Sequence, residues 1–306
     1  MTTAFATDII TFYHPAFWGF ETTEQLQDWV PAHLDTFWEK VLGASAEAGI
    51  SGLELTFAPG SIDNALKAFG TAKAFRAELD QRGLNVVSTF MADSPAWTPA
   101  ADLGAIVADA EARASFLTDL GAELLVIGLP MRKTMGERPP VFIDMAYMAD
   151  MARIAHAIGE AVGQQGVKLA MHTESNSSLW FERDIDLFMA ATDPRYVWLC
   201  PDSCHITLGG GDPSAVARRH SQRIALAHWK DAVGVIEKQL TIDSTIYTQQ
   251  QDYMTDFGTG VVDWKAWSEA MLTTPGRDIV LLELDAAADP VASLKAGRRV
   301  VESARS

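Results

Sequence analysis

The chain of 306 residues carries 40 Asp and Glu against 24 Lys and Arg, a formal net charge of −16, with 48% hydrophobic and 21% charged residues. That composition supports a sizeable core and excludes a disordered chain, and the acidic balance, with no concentrated basic patch, argues against nucleic acid as a partner. No window reaches the ~18 uninterrupted apolar residues of a membrane span. The opening Met1-Thr2-Thr3-Ala4-Phe5 lacks a basic region followed by an apolar stretch, so no membrane partner and a cytoplasmic address are expected.

Short runs rich in β-branched and aromatic residues alternate with stretches of helical period, the pattern of repeated βα units. In chain order the expected strands are Asp8 to Tyr13, Gly52 to Phe57, Asn85 to Phe90, Glu123 to Ile127, Lys168 to His172, Val197 to Cys200, Arg223 to His228 and Asp278 to Glu283. Each is followed by an expected helix: Leu34 to Ala48, Ala72 to Gln81, Leu103 to Leu120, Asp144 to Gln165, Asp184 to Ala191, Pro213 to His220, Asp263 to Leu272 and Pro290 to Ser303. Gly49, Gly83, Gly121 and Gly166 fall between helix and strand, where a residue tolerant of positive φ ends a helix.

Eight such units predict an α/β protein with the (β/α)8 TIM-barrel architecture. An open sheet of this size would normally show a dinucleotide glycine motif at its first turn, and Tyr13-His14-Pro15-Ala16-Phe17-Trp18-Gly19 has none. A single barrel over 1–306 is expected, with an insertion at about 233–255 between strand seven and its helix, long enough for a lid or a subunit contact. Cys200 and Cys204 are too few for a disulfide framework and are expected to be reduced.

In such a barrel the chemistry lies at the carboxyl ends of the strands. Strand five closes with Met171-His172-Thr173-Glu174, strand six with Cys200-Pro201-Asp202-Ser203-Cys204-His205, strand seven with Ala227-His228-Trp229-Lys230-Asp231 and strand eight with Leu282-Glu283-Leu284-Asp285. One of these acids alone would read as a strand-end ion pair. Glu174, Asp202, His228 and Glu283 together offer three carboxylates and one imidazole, which predicts a divalent-metal site, Mn2+ first, with Mg2+, Co2+ or Zn2+ as alternatives.

His172 and Glu174, two apart on a strand, face the same side. His172 is expected to act as a base, the alternative being that it orients Glu174 by hydrogen bonding. Trp18, Phe57 and Trp97, with Phe12, Phe17, Phe20 and Phe90, promise an aromatic wall, although half of such residues could be barrel core. His14 either reaches the mouth or is a loop histidine. Arg132, Lys133 and Arg138 lie in the loop from Pro130 to Pro140, which lacks the glycine-rich nest of a phosphate site.

The stretches His172-Thr173-Glu174, Pro201-Asp202-Ser203-Cys204-His205, His228-Trp229-Lys230-Asp231 and Phe257-Gly258-Thr259-Gly260-Val261-Val262-Asp263-Trp264 resemble, in this order, motifs of the xylose-isomerase-like sugar phosphate isomerase/epimerase superfamily. These metal-dependent barrels include ketose 3-epimerases, inosose dehydratases and the catalytic subunits of bacterial C-glycoside deglycosidases. The resemblance runs from strand five to the C-terminus and implies Glu174, Asp202, His228 and Glu283 as ligands, with His205 and Lys230 contacting substrate oxygens. The stretch from Ile10 to Gly19 looks most like the deglycosidase or dehydratase branch.

The expected function is therefore a metal-dependent carbohydrate lyase. His172, Glu174 and Glu283 form its catalytic set, removing a proton next to a sugar ketone so that the β substituent of a 3-oxo-glycoside or an inosose departs. Ketose epimerisation or isomerisation through the same enediolate is the alternative, favoured if Glu174 and Glu283 act as bases on opposite faces. A DNA-repair endonuclease is a remote one, disfavoured by the acidic balance. The expected partners are a small sugar or glycoside and a second copy of the chain or a small β subunit.

Overall fold

The computed structural model describes residues 3–91, 97–98, 101–132, 142–238, 240–243 and 245–306. Its parallel strands are β1 Ala4–Asp8, β2 Gly52–Leu55, β3 Asn85–Phe90, β4 Leu124–Gly128, β5 Lys168–His172, β6 Val197–Cys200, β7 His228–Trp229 and, after a small antiparallel pair of β8 Asp231–Ala232 with β9 Met254–Thr255, β10 Ile279–Leu282. They lie in the order β6-β5-β4-β3-β2-β1-β10-β7. Parallel bridges from Leu199 to Ile224 and from Asp202 to His228 bring β6 to the segment of β7, which makes the sheet a nearly closed barrel with helices outside it.

The helices begin where a short polar side chain can satisfy their free N–H groups. Asp102, Asp144, Asp263 and Asp289 accept from the N–H three residues on, at the starts of Leu103–Leu120, Met145–Gly163, Trp264–Met271 and Pro290–Ala304. Gly121 ends the first of these at φ 76°, in the left-handed region that a Cβ would strain. The helices Leu34–Glu47, Ala72–Asp80, Glu182–Ala191 and Pro213–Arg219 complete the set expected from the sequence, within two residues at each end.

Two strands differ from expectation. The stretch from Asp8 to Tyr13 was expected as strand one, yet β1 ends at Asp8 and Ile9–Phe12 forms a 3-10 turn. The cause is Asp8 itself, whose Oδ1 accepts from the Ile10 N–H at 2.6 Å and turns the chain inward. Strand seven was expected over Arg223 to His228, but Arg223 closes a short 3-10 turn and regular pairing is confined to His228–Trp229.

The main core joins the outer faces of the strands, including Leu53, Leu125, Leu169 and Leu199, to helical residues such as Trp38, Phe75, Ile158 and Phe188. A second cluster of Ala6, Val87, Leu124, Val126, Ala170, Cys200, Leu226 and Leu281 fills the barrel interior. Both cysteines are buried free thiols. Among the described residues no helix is long and apolar enough to cross a membrane.

Packing is tight where the Met145–Gly163 helix meets the loop before β6: a Cβ on Gly159 would lie 2.1 Å from the Tyr196 carbonyl oxygen. Backbone cannot yield there as a flexible side chain would. Gly159→Ala is expected to lower stability by about 1–3 kcal/mol through overpacking, seen as a lower urea midpoint at unchanged slope. A midpoint equal to that of the parent protein would show that the helix shifts freely.

Candidate metal centre and active site

Barrel strands turn alternate residues to the same face, so the interior cluster has a continuation two positions further along each strand. Ala6 is followed by Asp8, Gly52 by Glu54, Ala170 by His172, Cys200 by Asp202, Leu226 by His228 and Leu281 by Glu283. All six polar residues are buried at the carboxyl end of the barrel. Two positions beyond these stand Glu174, Lys230 and Asp285, which line the cavity above them.

One donor atom from each of His172, Asp202, His228 and Glu283 lies within 4.8 Å of the others. Nδ1 of His228 is 2.5 Å from Oε2 of Glu283, and Nε2 of His172 is 3.7 Å from Oδ2 of Asp202. These contacts lack hydrogen-bond geometry: both ring nitrogens of His172 and His228, Oδ2 of Asp202 and Oε2 of Glu283 have no hydrogen-bond partner among the described residues. Buried polar atoms are costly in that condition unless a cation joins them. Two imidazole nitrogens and two carboxylate oxygens converging on one point suit a divalent ion of borderline character.

Of the four residues implied as ligands, Asp202, His228 and Glu283 are brought together, and the strand-five residue nearest them is His172. Glu174 belongs to a second group with His172 and His205. Its Oε2 is 3.7 Å from Nδ1 of His172 and its Oε1 is 3.4 Å from Nε2 of His205. Gln250 Nε2 donates to Oε1 of Glu174 at 2.8 Å, while Gln250 Oε1 accepts from Ser175 Oγ at 3.0 Å and from Asn176 Nδ2 at 3.1 Å.

Lys230 is the buried cation of the cluster, its Nζ 2.5 Å from Glu283 Oε1, 2.7 Å from Asp285 Oδ1 and 3.9 Å from Asp202 Oδ2. Burial alone would lower the ammonium pKa, but Asp285, Glu283 and Asp202 together carry it well above the ordinary value. Glu283 shows the reciprocal effect, held well below the usual carboxylate range by Lys230 and His228 against the upward pull of burial. Burial wins at Glu174, raised to about 8, and at Asp285, raised to about 6 although Lys230 opposes it.

A cavity of about 610 Å3 opens above the cluster. His172, Glu174, His205, His228, Lys230, Glu283 and Asp285 form its polar side, and Tyr13, Phe57, Phe90, Met91, Trp97, Ile127 and Leu129 form an apolar one. Phe57 and Trp97 line this cavity. Trp18 does not, since its Nε1 donates to the Phe12 carbonyl at 2.7 Å and its ring stacks on Phe37 at 5.2 Å between centroids. His14 caps the short helix Pro15–Trp18, its Nδ1 accepting from Ala16 N–H at 3.2 Å.

Arg132 pairs with Asp184 at 2.6 Å, while Lys133 and Arg138 lie outside the described residues. Asp8, Glu54, Gln250 and Asp285 also stand at the site, beyond the residues expected there. Glu54 carried a signal, an acid in the middle of an otherwise apolar strand, and Asp285 carried another, an acid two positions after Glu283.

The chain belongs to the xylose isomerase-like TIM barrel family, whose pattern matches residues 42–304. It is 26% identical over 168 residues to the inosose dehydratase of Bacillus licheniformis, an alignment covering 53% of this chain and 56% of that enzyme. The match therefore spans little more than half the length of this curated relative. Among solved structures the chain superposes on the IolI protein with a bound zinc atom at a TM-score of 0.67 and 12% identity, over 99% of this chain and 96% of that one. It superposes on L-ribulose 3-epimerase at a TM-score of 0.67 and 15% identity, over 100% and 96% of the two chains. At those identities the likeness is one of fold.

The stretch from Phe257 to Trp264 has a physical explanation in Asp231. Successive residues of the β7 exit alternate, so Lys230 turns into the site and Asp231 turns away to collect donors from the returning chain. Its Oδ2 accepts from Gly258 N at 2.8 Å, Gly260 N at 3.1 Å and Trp264 Nε1 at 3.2 Å, and its Oδ1 from Ala232 N at 2.9 Å and Val262 N at 3.3 Å. A Cβ on Gly260 would come within 2.3 Å of both the Ala232 carbonyl oxygen and Asp231 Oδ1, so the chain can pass this close only as glycine. This carboxylate fastens the end of the 233–255 segment, whose helix Ile246–Gln251 carries Tyr247, Gln250 and Gln251 to the cavity.

Asp231→Ala leaves those donors without an acceptor and is expected to cost about 3 kcal/mol, with faster amide exchange across residues 258–262. Unchanged exchange at those amides would mean that other groups already satisfy them.

Proposed function

We propose that this barrel is a divalent-metal-dependent carbohydrate enzyme that removes a proton from the carbon next to a sugar ketone and expels the substituent one carbon further on. Its substrates in this reading are inososes or 3-oxo-glycosides. One observation carries the proposal: a cation-type donor set and an apolar aromatic wall share one cavity. A dehydratase among the sequence relatives and the zinc of a fold neighbour support it.

His172, Asp202, His228 and Glu283 would hold the ion. A set of two nitrogens and two oxygens accepts Mn2+, Co2+ or Zn2+ more readily than Mg2+. When bound, such an ion polarises a ketone oxygen and acidifies the adjoining C–H. Glu174, its side chain 15% exposed and steadied by Gln250, faces the cavity and takes the proton. This exchanges the roles the sequence suggested for His172 and Glu174, because His172 groups with Asp202, His228 and Glu283 while Glu174 stands two positions nearer the mouth and is the more exposed of the two.

The C–H electron pair becomes the new double bond. The β substituent leaves with its bonding pair and takes up the proton that Glu174 removed, so the products are an unsaturated keto-sugar and the freed alcohol, arene or water, and Glu174 returns to its carboxylate. Lys230 offers its ammonium to a substrate oxygen that gains negative charge, and His205 holds Glu174 from the other side. Phe57, Phe90 and Trp97 would stack on a planar departing group, each well-placed pair adding ~0.5–1.5 kcal/mol. Residues 1–306 act as one barrel, with 233–255 as a wall of its cavity, in the cytoplasm and as a homo-oligomer or with a small β subunit.

Epimerisation is the second reading, favoured by the fold neighbour that acts on ribulose. It needs a base on the opposite face, and Glu283 is already held between His228 and Lys230.

Chelation is expected to abolish activity. His172→Ala and Asp202→Ala should lose the ion, whereas Glu174→Gln should keep it while turnover falls by ~10²–10⁴. Element analysis finding fully active protein without a divalent metal, or Glu174→Gln losing its metal, would reject these assignments. In heavy water with manganese, a panel of inososes, keto-sugars and 3-oxo-glycosides should yield unsaturated keto-sugar. Recovery of deuterated epimer alone, with companion subunits present, would promote the second reading.

A further inference from the structure

Glu54 has no exposed surface and is absent from the lining of the cavity, so it cannot meet a substrate. It stands in β2 opposite Asp8 of β1 and Ser88 of β3. Ser88 Oγ donates to its Oε2 at 2.6 Å and fixes the carboxylate. The other oxygen, Oε1, lies 2.9 Å from Nε2 of His228, at hydrogen-bonding distance though off the line of the N–H, and has no hydrogen-bond partner among the described residues. The opposite nitrogen of the same ring, Nδ1, faces Glu283.

A neutral imidazole carries one N–H and one lone pair, and only the lone pair can bind an ion. With Glu283 itself given to the ion, the carboxylate left to hold the proton of the ring is Glu54, which faces Nε2. The thiol of Cys200, which also contacts the ring, is a weak acceptor beside a carboxylate.

We propose that Glu54 is the positioning residue of the metal centre: it keeps the proton of His228 on Nε2 and the Nδ1 lone pair turned toward the ion, and Ser88 holds Glu54 in place. The proposal rests on the reading of His228 as a ligand. It makes β2, from the half of the chain that supplies no ligand, a determinant of metal affinity.

The test measures Co2+ affinity by competition with a chelator, together with the ligand-field absorption of the bound Co2+, in variants whose folding is checked by circular dichroism. Glu54→Ala should bind Co2+ about 10–100-fold more weakly with an altered spectrum, and Glu54→Gln, which keeps an acceptor oxygen, should recover much of the loss. Ser88→Ala should weaken binding several-fold. Folded Glu54→Ala with the affinity and spectrum of the parent would overturn the proposal. Should that variant not fold, unchanged affinity in Ser88→Ala would overturn it instead. His228→Ala separates the two failures: undiminished binding there refutes the ligand reading, and lost binding there with unaffected Glu54→Ala refutes the role of Glu54 alone.

Discussion

The alternation of side chains along short strands closed into a ring is the constraint on which the site depends. β1, β2, β5, β6, β10 and the segment of β7 spend their earlier inward positions on small or apolar residues, Ala6, Gly52, Ala170 and Cys200 among them, and the next on an acid or an imidazole, whereas β3 and β4 carry none. Crowding below sets the register, since a Cβ on Gly52 would lie 2.7 Å from Cγ1 of Val87 and 2.9 Å from the Ala6 Cβ. A slip of one residue in any strand would carry its donor to the outer face, against helices, where burying a charge has no compensation. The chemistry of the mouth and the packing of the floor are thus specified by one pattern.

Burial is nearly uniform across this layer, yet its carboxyl groups do not respond alike. Asp202, lowered to about 2, and Glu283, held well below the ordinary value, sit where His205, His228 and Lys230 offset desolvation. Asp8 lies beside Glu54 and Glu283 without a lysine of its own, and desolvation with like charge raises it well above the usual range. Equal burial with unequal access to cations produces both kinds of carboxyl within one cavity, which is what separates groups suited to ligation from groups suited to proton transfer.

Much of this was legible in the sequence where local and tertiary signals agree. Asn85–Phe90, Lys168–His172 and Val197–Cys200 form strands over the residues expected, and Leu103–Leu120 forms its helix, because apolar period, capping Asp and terminal glycine point the same way. The first strand misled because Ile9, Ile10 and Thr11 favour extended structure, while one side-chain contact from Asp8 outweighs them. At the site, strand ends marked Asp202, His228 and Glu283, which the structure groups with His172. The choice between His172 and Glu174 was not available from spacing, since both share a face and only the stagger of β5 against β6 and β7 decides which meets the others. Gln250 and Glu54 were invisible for another reason: their partners, Glu174 and His228, are far off in sequence and nothing local marks them.

The cavity divides along the chain. Residues from β1 to β4 and their loops supply its apolar wall, and residues from β5 onward supply its charged side, apart from Asp8 below. The cluster is tied to the first half through Glu54 and to the 233–255 segment through Ser175, Gln250 and Glu174. Gln250 is buried, and its carboxamide is used at both ends, accepting from Ser175 and Asn176 and donating to Glu174. A displacement of the helix Ile246–Gln251 would therefore leave buried polar groups unsatisfied and release the carboxyl of Glu174 at the same time. Seating of that helix and orientation of Glu174 form one event, and Asp231, which fastens the segment from outside the site, belongs to the same mechanical unit.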